Sequence, residues 1–272
     1  MSTPKHTLRH RLKQNTPIIS PGIYDGLSAR IADKSGFELL YLSGYGVSAS
    51  MLAKPDNGFL TAADMHHRIT SICQAVDTPL IADADTGFGD ITATVRLYET
   101  AGEAGIKLED QQVTKICGHI PGREVIALDA AVANIACAVA ARSNPDFLIV
   151  ARTDAREQNG LDAAIARGRA FAEAGADIIF IESPESEAEF AAIGAALSDV
   201  PLLANMVEGG RSPLLSPAQL ADFGFRLIIY PVAAMANVAE TLQQAYATLA
   251  ADGPDGARVD FKTLSRLVGF EQ

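Results

Sequence analysis

The chain has 272 residues, 48% of them apolar, and a formal net charge of −11. That length and composition fit a soluble globular protein able to bury a large core, and the acidic balance argues against nucleic acid or an anionic membrane surface as a partner. An acidic protein that takes an acidic substrate needs locally placed cations, so Arg, Lys and metal sites carry the search for function.

Residues 1–13 are polar and basic, without the apolar stretch of a signal peptide, and no apolar run reaches membrane-spanning length. The three cysteines, Cys73, Cys117 and Cys137, make an odd count with no disulfide framework, which suits a reducing compartment. The expected location is the cytoplasm.

Short apolar runs recur at 17–19, 39–42, 80–82, 106–108, 147–150, 178–181, 202–204 and 227–229, each too short for a helix and read as a strand. Ala-rich stretches with helical spacing lie at 62–76, 91–104, 127–142, 161–174, 187–197, 218–223 and 232–249. Glu103-Ala104-Gly105 and Glu173-Ala174-Gly175 read as helix C-caps. Strands alternating with helices imply parallel βαβ units, and eight of them predict a (β/α)₈ TIM barrel over 1–252, with a doubly wound open sheet as the alternative. After Gly253-Pro254-Asp255-Gly256, the spacing of Phe261, Leu264, Leu267 and Val268 predicts a C-terminal helical extension within 253–272, packing on the barrel or on a neighbouring subunit.

The ends of the apolar runs carry a second signal. The runs give way to Ser43, to Asp83 and Asp85, to Glu109 and Asp110, to Arg152 and Asp154, to Glu182, to Asn205 and to Tyr230. In a parallel barrel these ends converge on one face, where barrel enzymes keep their active sites. Loop solvation accounts for one or two such residues but poorly for a set of carboxylates with Arg and Asn.

Asp83 and Asp85, two residues apart at a strand end, are expected to point the same way, with Glu109 on the next strand. Clustered carboxylates repel unless a cation sits among them, and an all-oxygen set favours Mg²⁺, with Mn²⁺ possible. Asp90 reads instead as an N-cap. The polar segment 111–125 contains Lys115-Ile116-Cys117-Gly118-His119 and suits a lid over the barrel mouth. A thiol between Lys and His can acquire an altered pKa and act as proton donor or nucleophile. Cys73 and Cys137 fall in apolar helical patterns and read as core residues. His66 and His67 open a helix without ligand spacing and read as surface or packing residues. Gly44-Tyr45-Gly46-Val47-Ser48-Ala49 fits a dinucleotide-binding pattern, but Asp64 belongs to the Thr61-to-Asp64 capping pattern rather than to a second strand end.

Lys-Ile-Cys-Gly-His resembles the Lys-[Lys/Arg]-Cys-Gly-His signature of the isocitrate lyases and 2-methylisocitrate lyases. Ser43-Gly44, Asp83-Ala84-Asp85-Thr86-Gly87-Phe88-Gly89, Glu109-Asp110-Gln111, Ala151-Arg152-Thr153-Asp154-Ala155 and Leu203-Ala204-Asn205-Met206 resemble the wider isocitrate lyase/phosphoenolpyruvate mutase superfamily, in order from about residue 17 to 235. The resemblance implies a Mg²⁺-dependent carbon–carbon lyase acting on a small di- or tricarboxylate. Asp85 would be the direct metal ligand, with Asp83 and Glu109 holding metal waters. Tyr41, Ser43, Gly44, Tyr45, Asp85, Gly118, Arg152 and Asn205 would bind substrate. Cys117 would protonate the carbanion, helped by Lys115, His119, Arg152 and Glu182. The resemblance also implies a homotetramer with exchanged C-terminal helices. Ile116 departs from the signature and removes a charge, which favours a smaller diacid, as in the 2,3-dimethylmalate lyase-like members. Oxaloacetate hydrolysis or decarboxylation, a phosphonopyruvate or carboxyphosphonoenolpyruvate mutase activity, and a non-catalytic binding barrel are the alternatives.

Overall fold

In the computed structural model, which describes residues 6–112, 115–253 and 259–270, eight parallel strands close into a barrel in sequence order. They are β1 Ile18–Ile23, β2 Leu40–Leu42, β3 Leu80–Asp83, β4 Gly105–Glu109, β5 Leu148–Thr153, β6 Ile178–Ile181, β7 Leu202–Asn205 and β8 Phe225–Tyr230. Closure is made by β8 pairing with β1, Ile18 opposite Leu227, and it rules out the open sheet.

The helices that follow the strands are α2 Gly26–Lys34, α3 Gly44–Val47, α4 Ala62–Cys73, α5 Ile91–Ala101, α6 Leu128–Ala141, α7 Arg156–Asn159, α8 Leu161–Glu173, α9 Glu187–Ala196, α10 Pro217–Asp222 and α11 Ala233–Asp252. They are preceded by α1 His6–Arg11 and followed by α12 Phe261–Leu267. Local chemistry starts several of them. Thr61 and Asp64 form a capping box on α4, and Asp90 caps α5 by accepting from the Ala93 amide at 2.9 Å. Neither leaves a residue free to bind a dinucleotide ribose.

Two apolar clusters sit on opposite sides of the sheet. Ile106, Leu108, Ile149, Ala151, Ile179 and Ile181 pack outward under the helices. Ile81, Leu148, Val150, Ile178, Phe180, Leu203, Leu227 and Ile229 fill the barrel interior, with Leu8 and Leu12 beside them. Because side chains alternate along a strand, the inward series continues upward to Asp83, Glu109, Arg152, Glu182 and Asn205. Cross-strand register sets Glu109 directly opposite Arg152. The same alternation that fills the barrel with aliphatic groups therefore crowns it with charge.

Four expectations need correction. Gly105 is not a cap but lies within β4, and the left-handed C-cap of α5 is Gly102 (φ 99°). Asp85 does not share the strand alternation of Asp83: β3 ends at Asp83, and Asp85 has a left-handed backbone (φ 49°). Cys137 is exposed rather than core, on an Ala-rich helix whose apolar surface exceeds its contact face, and its Sγ lies 3.2 Å from Thr92 Oγ1. Cys73 is half-buried. Helices α1, α2, α3 and α7, and the π-helical turn Ser48–Leu52 after α3, were not anticipated.

Candidate active site

The strand ends and the loops beyond them enclose a cavity of about 590 Å³. Of the expected site residues, Tyr41, Ser43, Tyr45, Asp83, Cys117, Gly118, His119, Arg152, Glu182 and Asn205 line it. Gly44 backs onto Asp83 in the first turn of α3. Asp85, Glu109 and Lys115 are buried and joined to Asp83 through ion pairs.

One side of the site is a carboxylate cluster. Lys107, at 0% exposure on the inner face of β4, places its Nζ 2.7 Å from Asp83 Oδ1 and 2.6 Å from Glu109 Oε2. Lys115 pairs with Asp85 and lies 3.0 Å from Asp56 and 3.8 Å from Asp83. The Asp85 amide donates to Asp83 Oδ1 at 2.9 Å, which joins the two aspartates in place of strand alternation. Burial would raise Asp83, but Lys107 and Lys115 hold it below the usual carboxylate range. Burial pushes Asp85 up to about 7 despite Lys115, and the negative charges of Asp83, Asp56 and Glu109 add to the rise.

Four carboxylates share two ammonium groups, so the cluster is short of positive charge when all of them are ionised. Arg152 reaches Glu109 at 3.6 Å but is shared with Asp154 and Glu182. Glu109 Oε1 is buried with no hydrogen-bond partner. An all-oxygen, electron-rich cluster with an orphaned oxygen fits a hard divalent cation. Among the described residues, no three His, Cys, Asp or Glu side chains already converge as a ligand set, because the two ammonium groups sit between the carboxylates.

The thiol comes from the segment after β4. Segment 111–125, of which Val113 and Thr114 lie outside the described residues, folds back on itself. Gln111 bridges Val125, and the Gln112 amide donates to the Glu124 carbonyl at 2.9 Å. Arg167 ties this stem by donating to the Asp110 carboxylate at 3.0 Å and to the Ile126 carbonyl at 2.7 Å. The Gln111 amide group exchanges two hydrogen bonds with the Ile116 backbone, each 2.9 Å. Ile116 is absent from the described cavity lining, so the cavity wall itself, rather than the charge missing at Ile116, meets the substrate.

Cys117 is half-buried, and burial raises its thiol above the usual range. Only half of the expected Lys–Cys–His flanking survives folding: Lys115 turns to the carboxylates, whereas the His119 backbone hydrogen-bonds the thiol, with Asp56, Arg152 and Glu182 acting on it at longer range. Its surroundings therefore favour the neutral thiol over the thiolate. Gly118 presses against Arg152 and Glu182; a methyl group there would overlap the guanidinium and sit 2.8 Å from Glu182 Oε2. Its carbonyl accepts from Ser183 Oγ at 2.9 Å. His119 Nδ1 accepts from the Arg211 amide at 3.2 Å, and its Nε2 lies 3.2 Å from Asn205 Nδ2 and 3.7 Å from Glu182. Burial lowers its pKa and favours the neutral ring.

Arg152 packs 5.2 Å from the centre of the Phe180 ring and is gripped by Asp154 at 2.8 and 2.9 Å. Burial alone would raise Glu182, but Arg152, 3.1 Å away, holds it ionised. Sequence reasoning gave no role to Lys107, Asp56, Arg123 or Ser183. A lysine inside an apolar strand run was the available signal for Lys107. Ser183, in a left-handed conformation (φ 56°) at the end of β6, could not be read from spacing.

The sequence profile of the phosphoenolpyruvate phosphomutase family matches residues 8–250. The 2,3-dimethylmalate lyase of Eubacterium barkeri is 44% identical over 272 residues, covering 97% of this chain and 94% of its own. An oxaloacetate acetylhydrolase, solved with the inhibitor 3,3-difluorooxalacetate, superposes with a TM-score of 0.93 at 37% identity, covering 97% of this chain and 93% of that one. A phosphonopyruvate hydrolase in complex with oxalate and Mg²⁺ superposes with a TM-score of 0.87 at 30% identity, over 97% and 94% of the two chains. With the profile matched across the barrel and relatives aligned nearly end to end, the chain belongs to the phosphoenolpyruvate phosphomutase family.

Proposed function

We propose that the protein is a Mg²⁺-dependent lyase that cleaves a carbon–carbon bond in a small, alkyl-substituted 2-hydroxy dicarboxylic acid, releasing a 2-oxo acid such as pyruvate and a carboxylate. The observation that carries this reading is the make-up of the cavity lining. Arg152 is the one guanidinium or ammonium among the described lining residues, and it lies 3.1 Å from Glu182. The rest of the lining includes the apolar Ala49, Ile120, Val207, Val232, Met235 and Ala236, and Glu208 adds negative charge. A third carboxylate would find no cation there, whereas each buried methylene gains about 0.8 kcal/mol. The name of the 44%-identical relative, 2,3-dimethylmalate lyase, points to the same substrate class.

Asp83, Asp85 and Glu109 would hold Mg²⁺, or Mn²⁺ in its place, and the bound cation would supply the positive charge that polarises the 2-oxo acid as it forms. Ser43 Oγ takes the Gly46 amide at 3.2 Å, which leaves the first-turn amides of Gly44 and Tyr45 to receive a carboxylate. Tyr41 lines the same end. Arg152 adds charge to that carboxylate while Asp154 fixes its orientation. As the carbon–carbon bond breaks, the 2-hydroxyl gives up its proton to solvent and becomes the 2-oxo group, the bonding pair stays on the departing carboxylate as a carbanion, and Cys117 delivers a proton to it and is reprotonated from solvent. Glu182, Asn205 and His119 set the polarity around the departing fragment, and Lys115 draws the lid onto the carboxylate cluster.

Residues 1–252 are read as the catalytic barrel and 253–272 as its tail, although 254–258, 271 and 272 lie outside the described residues. Val238, Leu242, Tyr246 and Leu249 on α11, with Phe261, Leu264, Val268 and Phe270 in and after α12, expose apolar surface, which supports a homotetramer with exchanged C-terminal helices. Among the described residues no helix is long and apolar enough to cross a membrane, and the free cysteines support a cytoplasmic enzyme.

The test is a screen of 2,3-dimethylmalate, methylisocitrate, isocitrate, citramalate and oxaloacetate, with Mg²⁺, Mn²⁺ or a chelator. Metal-dependent pyruvate from an alkyl-substituted malate is expected, with the tricarboxylates slower. Oxalate release from oxaloacetate as the main activity would replace the lyase by a hydrolase. No turnover of any of these acids by the metal-loaded protein would leave a binding barrel.

A further inference from the structure

Two loops from distant parts of the chain meet on one carboxylate that touches neither the cavity nor the carboxylate cluster. Glu157 lies in α7, the single turn after β5. Its Oε2 accepts from Arg123 Nε at 2.9 Å, and its Oε1 accepts from the Gly122 amide at 3.2 Å and from Arg211 Nη1 at 2.8 Å. Gly122 and Arg123 belong to the lid, and Arg211 to the loop after β7. Arg123 is 1% exposed and continues to Asp154 Oδ1 at 2.8 Å, the oxygen that also receives Arg152 Nη2. Arg211 continues to Glu185 at 2.9 Å, and its own backbone amide donates to His119 Nδ1. Beside that contact, the His119 ring packs so closely on Gly210 that a methyl group there would lie 2.6 Å from Nδ1. From Glu157, one arm ends on the Arg152 guanidinium and the other on the His119 imidazole.

We propose that Glu157 is a positioning residue, a latch that joins the lid to the β7–α10 loop and so sets His119 and Cys117 against Arg152 and Glu182 during the reaction. The proposal rests on the lyase reading only for its activity measurement. The Arg211 amide donates to Nδ1, so a neutral His119 carries its proton on Nε2, the nitrogen that faces the Glu182 carboxylate at 3.7 Å. Release of the latch frees both loops at once, because both are tied to the same carboxylate. Partial burial works against its charge, yet hydrogen bonds from Arg211 and Arg123 hold Glu157 down at about 2, so the latch stays ionised at neutral pH.

The experiment compares the full-length wild type with Glu157→Gln and Arg211→Met. Hydrogen exchange is measured on the unliganded protein, and steady-state kinetics are then measured with whichever acid passes the substrate screen. Glu157→Gln keeps the side-chain volume but removes the charge that holds two arginines. Faster exchange is expected in 117–125 and 207–212 together, with strand amides unchanged and only a small fall in melting temperature. A loss of kcat on the order of 10²-fold is expected, with KM little changed. Arg211→Met leaves the Arg211 backbone amide in place and should reproduce both effects. Unchanged exchange in either segment overturns the proposal whatever the substrate is, and so does faster exchange spread over the whole barrel. Wild-type kcat in both variants overturns it as well. Failure of every acid in the screen would sink the lyase reading but leave the exchange result standing.

Discussion

The carboxylate side and the thiol side of the cavity are held by different kinds of structure. Asp83, Lys107, Glu109 and Arg152 stand on strands whose backbone is fixed by the barrel ladder, and their mutual ion pairs are buried. Cys117, Gly118 and His119 stand on a segment whose place is set by side chains: Gln111 at its stem, Ser183 beneath Gly118, Arg211 on His119 and Glu157 at its far end. Charge that must not move is built into the sheet. The proposed proton donor sits on an element held in place by polar contacts, as a lid over the barrel mouth would be. The two sides are thus held by different contacts, and each can be broken by itself.

The largest expected effect is on the thiol side. Cys117→Ser should retain fold and substrate binding but lose on the order of 10²–10⁴-fold in cleavage, read as single-turnover pyruvate formation. Unchanged cleavage would remove Cys117 from the reaction. Lys107→Met tests the other side. It leaves Asp83 and Glu109 buried without their shared counter-ion, and loss of one partner of a buried pair costs about 3–5 kcal/mol. Denaturant unfolding should show it, and a loss below about 1 kcal/mol would mean that the strands hold the carboxylates without Lys107. Gly118→Ala drives a methyl group into Arg152 and Glu182, where the two sides meet. A fall in kcat on the order of 10²-fold is expected, with little change in melting temperature, and full activity would show that the lid can shift without consequence.

Two pH effects sharpen the contrast further. Burial raises Cys117, and an acid catalyst works while protonated, so the alkaline limb of kcat should lie above the ordinary thiol value of about 8.5. A limb below that value would mark a different acid. The smallest effect concerns Glu157. Its folded-state pKa is depressed to about 2 from 4.5. The latch's contribution is therefore complete above the unfolded value and lost as pH falls through the folded one. The difference in lid exchange between wild type and Glu157→Gln should persist at pH 5 and shrink toward pH 2.

Much of this was legible in the residue order. All eight strands lie where short apolar runs predicted them, because a strand buried on both faces needs a run of Ile, Leu and Val whatever its neighbours are. The polar residues closing those runs converge as the parallel topology requires. Pairing was not legible. Lys115 is next but one to Cys117 in sequence yet faces Asp85 and Asp56, since a buried ammonium goes to the greater concentration of negative charge. Asp56 arrives on a loop after the π-helical turn, with no spacing that ties it to β3.

The sequence by itself determined the barrel, the acidic strand ends and the segment bearing the thiol, because periodicity and residue chemistry are local properties. Tertiary structure alone decided which cation meets which carboxylate, that burial favours the neutral Cys117 thiol, and that Glu157 holds two loops. Burial and electrostatic neighbourhood belong to the folded arrangement, and no spacing along the chain encodes them.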